Sequence, residues 1–166
     1  IKDIFTRVLK GHIAVANYKL KEKTNGSQID AVARKSLKKI NLDYPHGTGH
    51  GVGCYLNVHE GPHGISRGNK IRLQEGMIIS NEPGYYKKGK FGIRIENLIT
   101  VIKKRGKIEF KDLTLVPIEK SLIKKNLLNK KEIMWFNQYH KRVFNNLKKF
   151  MNTSELKQLK DSCSYI

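Results

Sequence analysis

Three features of the chain predict an α+β fold: two amphipathic helical stripes at its start, short extended segments cut by Gly and Pro through its middle, and a further helical stripe near its end. At the start, Ile1, Ile4, Phe5, Val8, Leu9, His12, Ile13 and Ala16 recur at helical spacing on one face. His12 lies on that apolar face, where the expected role is a packed, hydrogen-bonded core histidine, so no chemistry is assigned to it. A second stripe, Ile29, Val32, Ala33, Leu37 and Ile40, is expected to open on a capping box made by Ser27 and Asp30.

Beyond Leu42 the periodicity changes. In His46-Gly47-Thr48-Gly49-His50-Gly51-Val52-Gly53, glycine alternates with residues that carry side chains. Four glycines would cost a helix roughly 4 kcal/mol against alanine, so an extended, strand-like conformation is predicted. A period of two then puts His46, Thr48, His50 and Val52 on one face, with two imidazoles aimed into one cleft, and leaves the other face bare for a close backbone approach. The absence of a GK[ST] or GxGxxG continuation argues against a phosphate-cradling loop.

Gln74-Glu75-Gly76 reads as a turn, residues 77–82 as a strand stopped by Pro83-Gly84, and residues 91–101 as a second strand. In the second, Arg94, Glu96 and Leu98 alternate with Ile93, Ile95 and Asn97. An antiparallel hairpin with Glu82 opposite Glu96 has its midpoint at Gly89, inside Lys87-Lys88-Gly89-Lys90, as a turn requires. Near the end, Asn129 and Glu132 form a capping box, followed by the helical stripe Ile133, Phe136, His140, Val143, Phe144 and Leu147. Trp135 and Tyr139 widen its apolar surface, which either docks on the same subunit or forms a homodimer seam. Residues 152–166 are polar and read as a short helix with a frayed end.

At 166 residues, 39% of them hydrophobic, the chain can bury a core, and one domain is the default. No run of about 18 apolar residues is available to cross a bilayer, and no signal-peptide pattern opens the chain, so a soluble protein is expected. Cys54 and Cys163 lie too far apart for a disulfide framework or a CxxC knuckle, which suits a reducing, cytoplasmic setting. The formal net charge of +19, from 33 basic against 14 acidic residues, invites a nucleic-acid reading. The lysines are dispersed, with no Arg and aromatic interleaving, so a solvated surface is the preferred reading. The chain opens at Ile1 directly into a helical stripe, and its true beginning is expected to lie upstream.

Two carboxylates on one face of paired strands repel unless a cation or a shared proton lies between them. Together with His50, Glu82 and Glu96 make a donor set of one imidazole and two carboxylates, suited to Mn²⁺, Co²⁺, Fe²⁺ or Zn²⁺. A two-metal site, with ions about 3.5–4 Å apart, draws on more ligands than these, so others must come from elsewhere. Arg94, two residues before Glu96 and on its face, either orients the carboxylates or is a surface strand arginine.

These residues also carry a resemblance. His46-Gly-Thr-Gly-His50-Gly-Val-Gly, Asn57-Val-His59-Glu-Gly-Pro62, Glu75-Gly-Met77, Asn81-Glu82-Pro-Gly84-Tyr85-Tyr86 and Gly92-Ile-Arg94-Ile-Glu96-Asn97 resemble the metallopeptidases of the pita-bread fold, and most closely the Xaa-Pro aminopeptidases (aminopeptidase P). The likeness extends from Phe5-Thr6-Arg7-Val8-Leu9-Lys10-Gly11-His12 into the tail, where Leu113-Thr-Leu-Val-Pro117-Ile and Glu132-Ile-Met-Trp135-Phe-Asn137-Gln-Tyr139-His140 favour aminopeptidase P over prolidase or methionine aminopeptidase.

The resemblance implies the C-terminal part of a pita-bread fold, a curved antiparallel sheet with flanking helices, in residues 1–118, and a helical C-terminal segment in residues 119–166. It implies two divalent metal ions, usually manganese, with His50, Glu82 and Glu96 among five ligands and Glu96 bridging. Glu82 matches the position for general acid/base work, His46 and His59 match histidines that bind substrate and assist proton transfer, and Arg94 matches an arginine that supports the ligands. The implied reaction removes an N-terminal residue preceding proline, from a peptide with proline at its second position, in a homodimeric cytoplasmic enzyme. The family's two aspartate ligands precede the opening helix, and Asp3, Asp30 and Asp43 do not match them, so this segment alone is expected to bind metal weakly and show little activity. Prolidase, which cleaves only dipeptides, and a non-catalytic basic binding module are the alternatives.

Overall fold

The computed structural model describes residues 1–55 and 57–166. They form two compact units, Arg7–Thr114 and a smaller one of Ile1–Thr6 with Leu115–Ile166. Helix α1 (Lys2–Ala16) gives its first turn to the smaller unit and the rest to the larger.

In the larger unit, helix α2 (Gly26–Lys38) opens on a capping box between Asn25 and Gln28, two residues before the predicted one at Ser27 and Asp30. The Asp30 carboxylate is unavailable for capping because it is buried, ion-paired with Arg34 and bonded by Thr48. The helix stops before Ile40, which is 37% exposed, and Asn41 takes a left-handed φ of 57°, tolerated by asparagine.

The strands are β1 (Gly49–His50), β2 (Gly64–Ile65), β3 (Ile78–Asn81), β4 (Gly84–Lys87), β5 (Phe91–Arg94), β6 (Asn97–Lys104) and β7 (Lys107–Asp112). They make three antiparallel sheets, β1 with β2, β3-β6-β7, and β4 with β5. The predicted hairpin register holds in both of its ladders: Ile78 faces Thr100, Asn81 faces Asn97, and Gly84 faces Arg94. Gly89, at φ +69°, makes the turn. The predicted second strand is instead two, because the pairing lapses at Glu82-Pro83 on one side and Ile95-Glu96 on the other. Pro83 has no N–H to give the ladder, and only its carbonyl is used, by Ile95 N at 3.3 Å. The buried core joins Val15 and Leu20 to Ile29 and Ala33 of α2 and to Ile65, Leu73, Ile79, Ile99 and Val101 of the sheets.

In the smaller unit, helix α3 (Lys130–Leu147) has the predicted Asn129–Glu132 capping box, and α4 (Thr153–Ser162) has a second at Asn152 and Glu155. Phe136, Tyr139, His140 and Val143 are buried, and the Tyr139 hydroxyl donates to the Val116 carbonyl at 2.8 Å, so this part of the helix docks within its own chain. Burial, with help from nearby Lys120, lowers the His140 pKa to about 4, and its Nε2 accepts from Ile118 N at 3.0 Å. The end expected to fray is held, since Ile166 N donates to Asn137 Oδ1 at 3.2 Å.

Candidate metal centre

Of the glycine-rich segment only Gly49–His50 is regular strand, followed by a bridge at Gly51, while the chain bends at His46 and Thr48. Its bare face does what the alternation predicts. A Cβ on Gly49 would lie 1.9 Å from the Ser80 carbonyl oxygen, and one on Gly51 would lie 2.0 Å from that of Glu60. The segment therefore presses directly on β3: Gly51 bridges Ile79, Val52 N donates to Ile78 O at 3.0 Å, and Glu82 N donates to Thr48 O at 2.8 Å. Thr48 turns inward and is fully buried, while His46 and His50 stay half-buried, so the predicted single face is divided between core and cleft.

This contact brings His50 to Glu82. His50 Nε2 lies 3.2 Å from Glu82 Oε1, and one ligand atom from each of His50, Glu82 and Glu96 lies within 4.8 Å of the others. Glu82 is only 6% exposed. Ser80 Oγ donates to its Oε1 at 2.8 Å, and Arg94 Nη1 pairs with its Oε2 at 3.3 Å. Partial burial opposes the charge on Arg94, but the Tyr86 hydroxyl and the Glu82 and Glu96 carboxylates outweigh it and raise its pKa. Arg94, although 44% exposed, is thus the guanidinium paired with buried Glu82.

The tautomer of His50 follows from its neighbours. Its Nδ1 lies 3.0 Å from the Gly51 carbonyl, which can only accept, so Nδ1 carries the proton. In the neutral ring Nε2 then carries no proton and lies close to a carboxylate oxygen. Two such acceptors at 3.2 Å need a proton or a cation between them. An imidazole whose other nitrogen donates to a backbone carbonyl is the usual arrangement of a metal-ligating histidine. One imidazole and two carboxylates, clustered and partly desolvated, fit a divalent ion of the Mn²⁺, Co²⁺, Fe²⁺ or Zn²⁺ kind.

The other two predicted histidines lie on either side. The His59 ring, although exposed, packs on that of His50 with centroids 4.0 Å apart. His46 Nδ1 donates to its neighbour's carbonyl, Gly47 O, at 2.7 Å, and its Nε2 accepts from the Tyr86 hydroxyl at 2.9 Å. Tyr86 in turn accepts from Arg94 Nε at 2.7 Å. A continuous chain of contacts thus runs His46, Tyr86, Arg94, Glu82. Sequence reasoning missed the parts of Ser80 and Tyr86. Both were discoverable: Ser80 is two residues before Glu82 on the same strand face, and the register kept across Pro83 leaves Tyr86, four residues after Glu82, in step with it.

The sequence profile of metallopeptidase family M24 matches residues 1–103, and that of the C-terminal region of peptidase_M24 matches residues 106–166. The chain belongs to metallopeptidase family M24. Xaa-Pro aminopeptidase 1 of Dictyostelium discoideum is 50% identical over 150 residues, covering 85% of this chain and 24% of that protein. The X-prolyl aminopeptidase of Caenorhabditis elegans, described as a cytosolic enzyme with a di-nuclear active site, superposes with a TM-score of 0.91 at 45% identity over 99% of this chain and 29% of that one. Prolidase from Pyrococcus furiosus reaches 0.59 at 31% identity, over 68% of this chain and 30% of that one. This M24 chain therefore spans about a quarter of the length of the relatives it matches. It has the mixed helix and antiparallel-sheet fold of its pita-bread relatives, and no helix among the described residues is long and apolar enough to cross a membrane.

Proposed function

We propose that this M24 chain supplies the histidine and glutamate side of a dinuclear centre that hydrolyses the N-terminal Xaa-Pro bond of peptides. The observation that carries the proposal is the clustering of one ligand atom from each of His50, Glu82 and Glu96 within 4.8 Å of one another, with His50 Nε2 3.2 Å from Glu82 Oε1. In this reading His50, Glu82 and Glu96 would hold metal, with the remaining ligands supplied by sequence outside this segment. Bound metal would lower the pKa of a water and polarise the scissile carbonyl. Glu82 would accept a proton from the attacking water and return it to the leaving amine. His46 and His59, flanking His50, bind the peptide near the bond and hold a proton there, and Arg94 keeps Glu82 oriented.

Manganese is the ion we assign, the cytosol the compartment, and a homodimer the assembly, with 55%-exposed Met134 on α3 in its seam. The division into a catalytic part, residues 1–118, and a C-terminal segment, residues 119–166, is supported by the break between compact units after Thr114. Aminopeptidase specificity is favoured over prolidase because the likeness to the C. elegans enzyme runs through the C-terminal segment, whereas prolidase matches 68% of the chain. The test is hydrolysis of Xaa-Pro dipeptides against longer peptides by the complete manganese-loaded natural protein. Cleavage of the longer peptides, lost on chelation, is expected; cleavage of dipeptides alone would overturn the specificity, and no hydrolysis of either the whole reading.

A further inference from the structure

Helix α2 carries a buried ion pair that the chemistry above does not use. Arg34, 3% exposed, bonds Asp30 Oδ2 through Nε at 2.8 Å and Asp43 Oδ1 through Nη1 at 2.7 Å. The same guanidinium donates to two backbone carbonyls at the foot of the histidine segment, Tyr44 O at 2.8 Å and His46 O at 2.5 Å, and lies over the Tyr44 ring at 4.0 Å. The second oxygen of Asp30 accepts from Thr48 Oγ1 at 2.7 Å and from Thr48 N at 3.3 Å.

The proton count at Thr48 has one solution. A carboxylate only accepts, so the Thr48 hydroxyl gives its proton to Asp30, and the 2.5 Å contact between Tyr44 OH and Thr48 Oγ1 must use the Tyr44 proton. Burial raises the Tyr44 pKa to about 12, which keeps that phenol protonated. Four of the five Arg34 N–H groups and both hydroxyls of the cluster thus have acceptors within it. From Thr48 the connection passes to the site: its carbonyl takes the Glu82 amide at 2.8 Å, and two residues later His50 N donates to Ser80 Oγ, itself the donor to Glu82 Oε1 at 2.8 Å.

We propose that Asp30, Arg34, Tyr44 and Thr48 form a positioning device that fixes the backbone between His46 and His50 and, through Thr48, holds His50 against Glu82. The bonds of Arg34 to the Tyr44 and His46 carbonyls set where the segment starts, and the bonds of Asp30 to Thr48 set which way it faces. Arg suits this place because only its planar fork reaches two carboxylates and two carbonyls at once. The role in catalysis rests on the metallopeptidase reading given above; the role in holding the histidines does not.

The test uses the complete natural protein with ¹³Cε1-labelled histidine, metal-free for the spectra and manganese-loaded for kinetics, in Thr48→Val, Tyr44→Phe, Arg34→Lys and Thr48→Ser. Thr48→Val and Tyr44→Phe are expected to move the His46 and His50 signals while those of buried His12 and His140 stay in place, and Thr48→Ser to restore them. The kcat for an Xaa-Pro peptide is expected to fall between about tenfold and a hundredfold in Thr48→Val, with KM within about twofold, because orientation is lost and not binding. Wild-type His46 and His50 signals together with wild-type kcat in Thr48→Val, whatever happens to its melting temperature, would overturn the proposal. Should Arg34→Lys fail to fold, Thr48→Val and Tyr44→Phe still decide. If the wild-type protein hydrolyses no Xaa-Pro peptide, the functional reading falls and the histidine spectra alone decide on the positioning device.

Discussion

Acidification should destabilise this protein through His12. The ring is fully buried on α1, with its Nδ1–H donating to Ile95 O at 3.2 Å, while its own backbone carbonyl accepts from Asn81 Nδ2 at 3.0 Å. Burial lowers its pKa from 6.5 to about 4, the backbone bonds to Ile95 and Asn81 opposing only part of that fall. A histidine with a depressed folded pKa contributes stability that is fully present above pH 6.5 and is lost as pH falls toward 4, because in that window the unfolded chain binds a proton that the folded one refuses. At about 1.4 kcal/mol per unit, the shift corresponds to about 3 kcal/mol. His12→Leu removes the titration and leaves Ile95 O without its donor, a loss of about 1–3 kcal/mol at pH 7. Urea denaturation of the metal-free protein at pH 7, 6, 5 and 4 should therefore show the variant less stable at pH 7 and the gap closing, or reversing, by pH 4. Taking the difference at each pH cancels every other titrating group. A gap that stays constant from pH 7 to pH 4 would refute the argument.

Glu82→Gln and Glu96→Gln should each weaken Mn²⁺ binding by about ten- to a hundredfold or more in calorimetric titration, since each removes a charged donor from the cluster. Gly49→Ala should destabilise severely in thermal melting, because its methyl meets the Ser80 backbone at 1.9 Å, whereas Gly53→Ala should be milder, because it meets the movable end of the Glu60 side chain. Asn25→Ala should lower stability by about 1 kcal/mol through loss of the α2 cap, measured by denaturant midpoint. The 166-residue segment expressed alone should hydrolyse no Xaa-Pro peptide at a rate above background, since its three clustered donors are too few for two ions.

What the sequence made legible was local and periodic. Alternation from Ile93 to Leu98, with a glycine at the midpoint, was enough to find the register that places Glu82 opposite Glu96, and the structure keeps it in both ladders. The glycine alternation announced a backbone contact on its bare face, although not that Ser80 would be the partner. The cap of α2 was misplaced by two residues because Asn25 and Ser27 are both good cap formers, and what decides between them is that Asp30 is occupied elsewhere. That occupation could not be read. Arg34 meets Asp43, Tyr44 and His46 across 9 to 12 residues, and Asp30 meets Thr48 across 18, where no helical or strand period applies.

The interrupted ladder explains how a sheet can present two carboxylates to one ion. In an unbroken antiparallel pair, Glu82 and Glu96 would be held at a fixed cross-strand spacing, both backbone segments tied by hydrogen bonds on either side. Pro83 cannot donate, so between Asn81–Asn97 and Gly84–Arg94 the strands keep register without a full set of bonds. Glu82 uses that freedom to point its amide at Thr48 and its carboxylate at His50, Ser80 and Arg94. Without a metal, Arg94 and the Ser80 hydroxyl are the partners of the buried Glu82 carboxylate. A cation held by His50 and Glu82 would supply a second positive charge beside it. Arg94→Met should accordingly disturb the metal-free protein more than the loaded one, because only in the former is the arginine the chief counter-charge to Glu82. Equal loss of melting temperature in both states would contradict that division of labour.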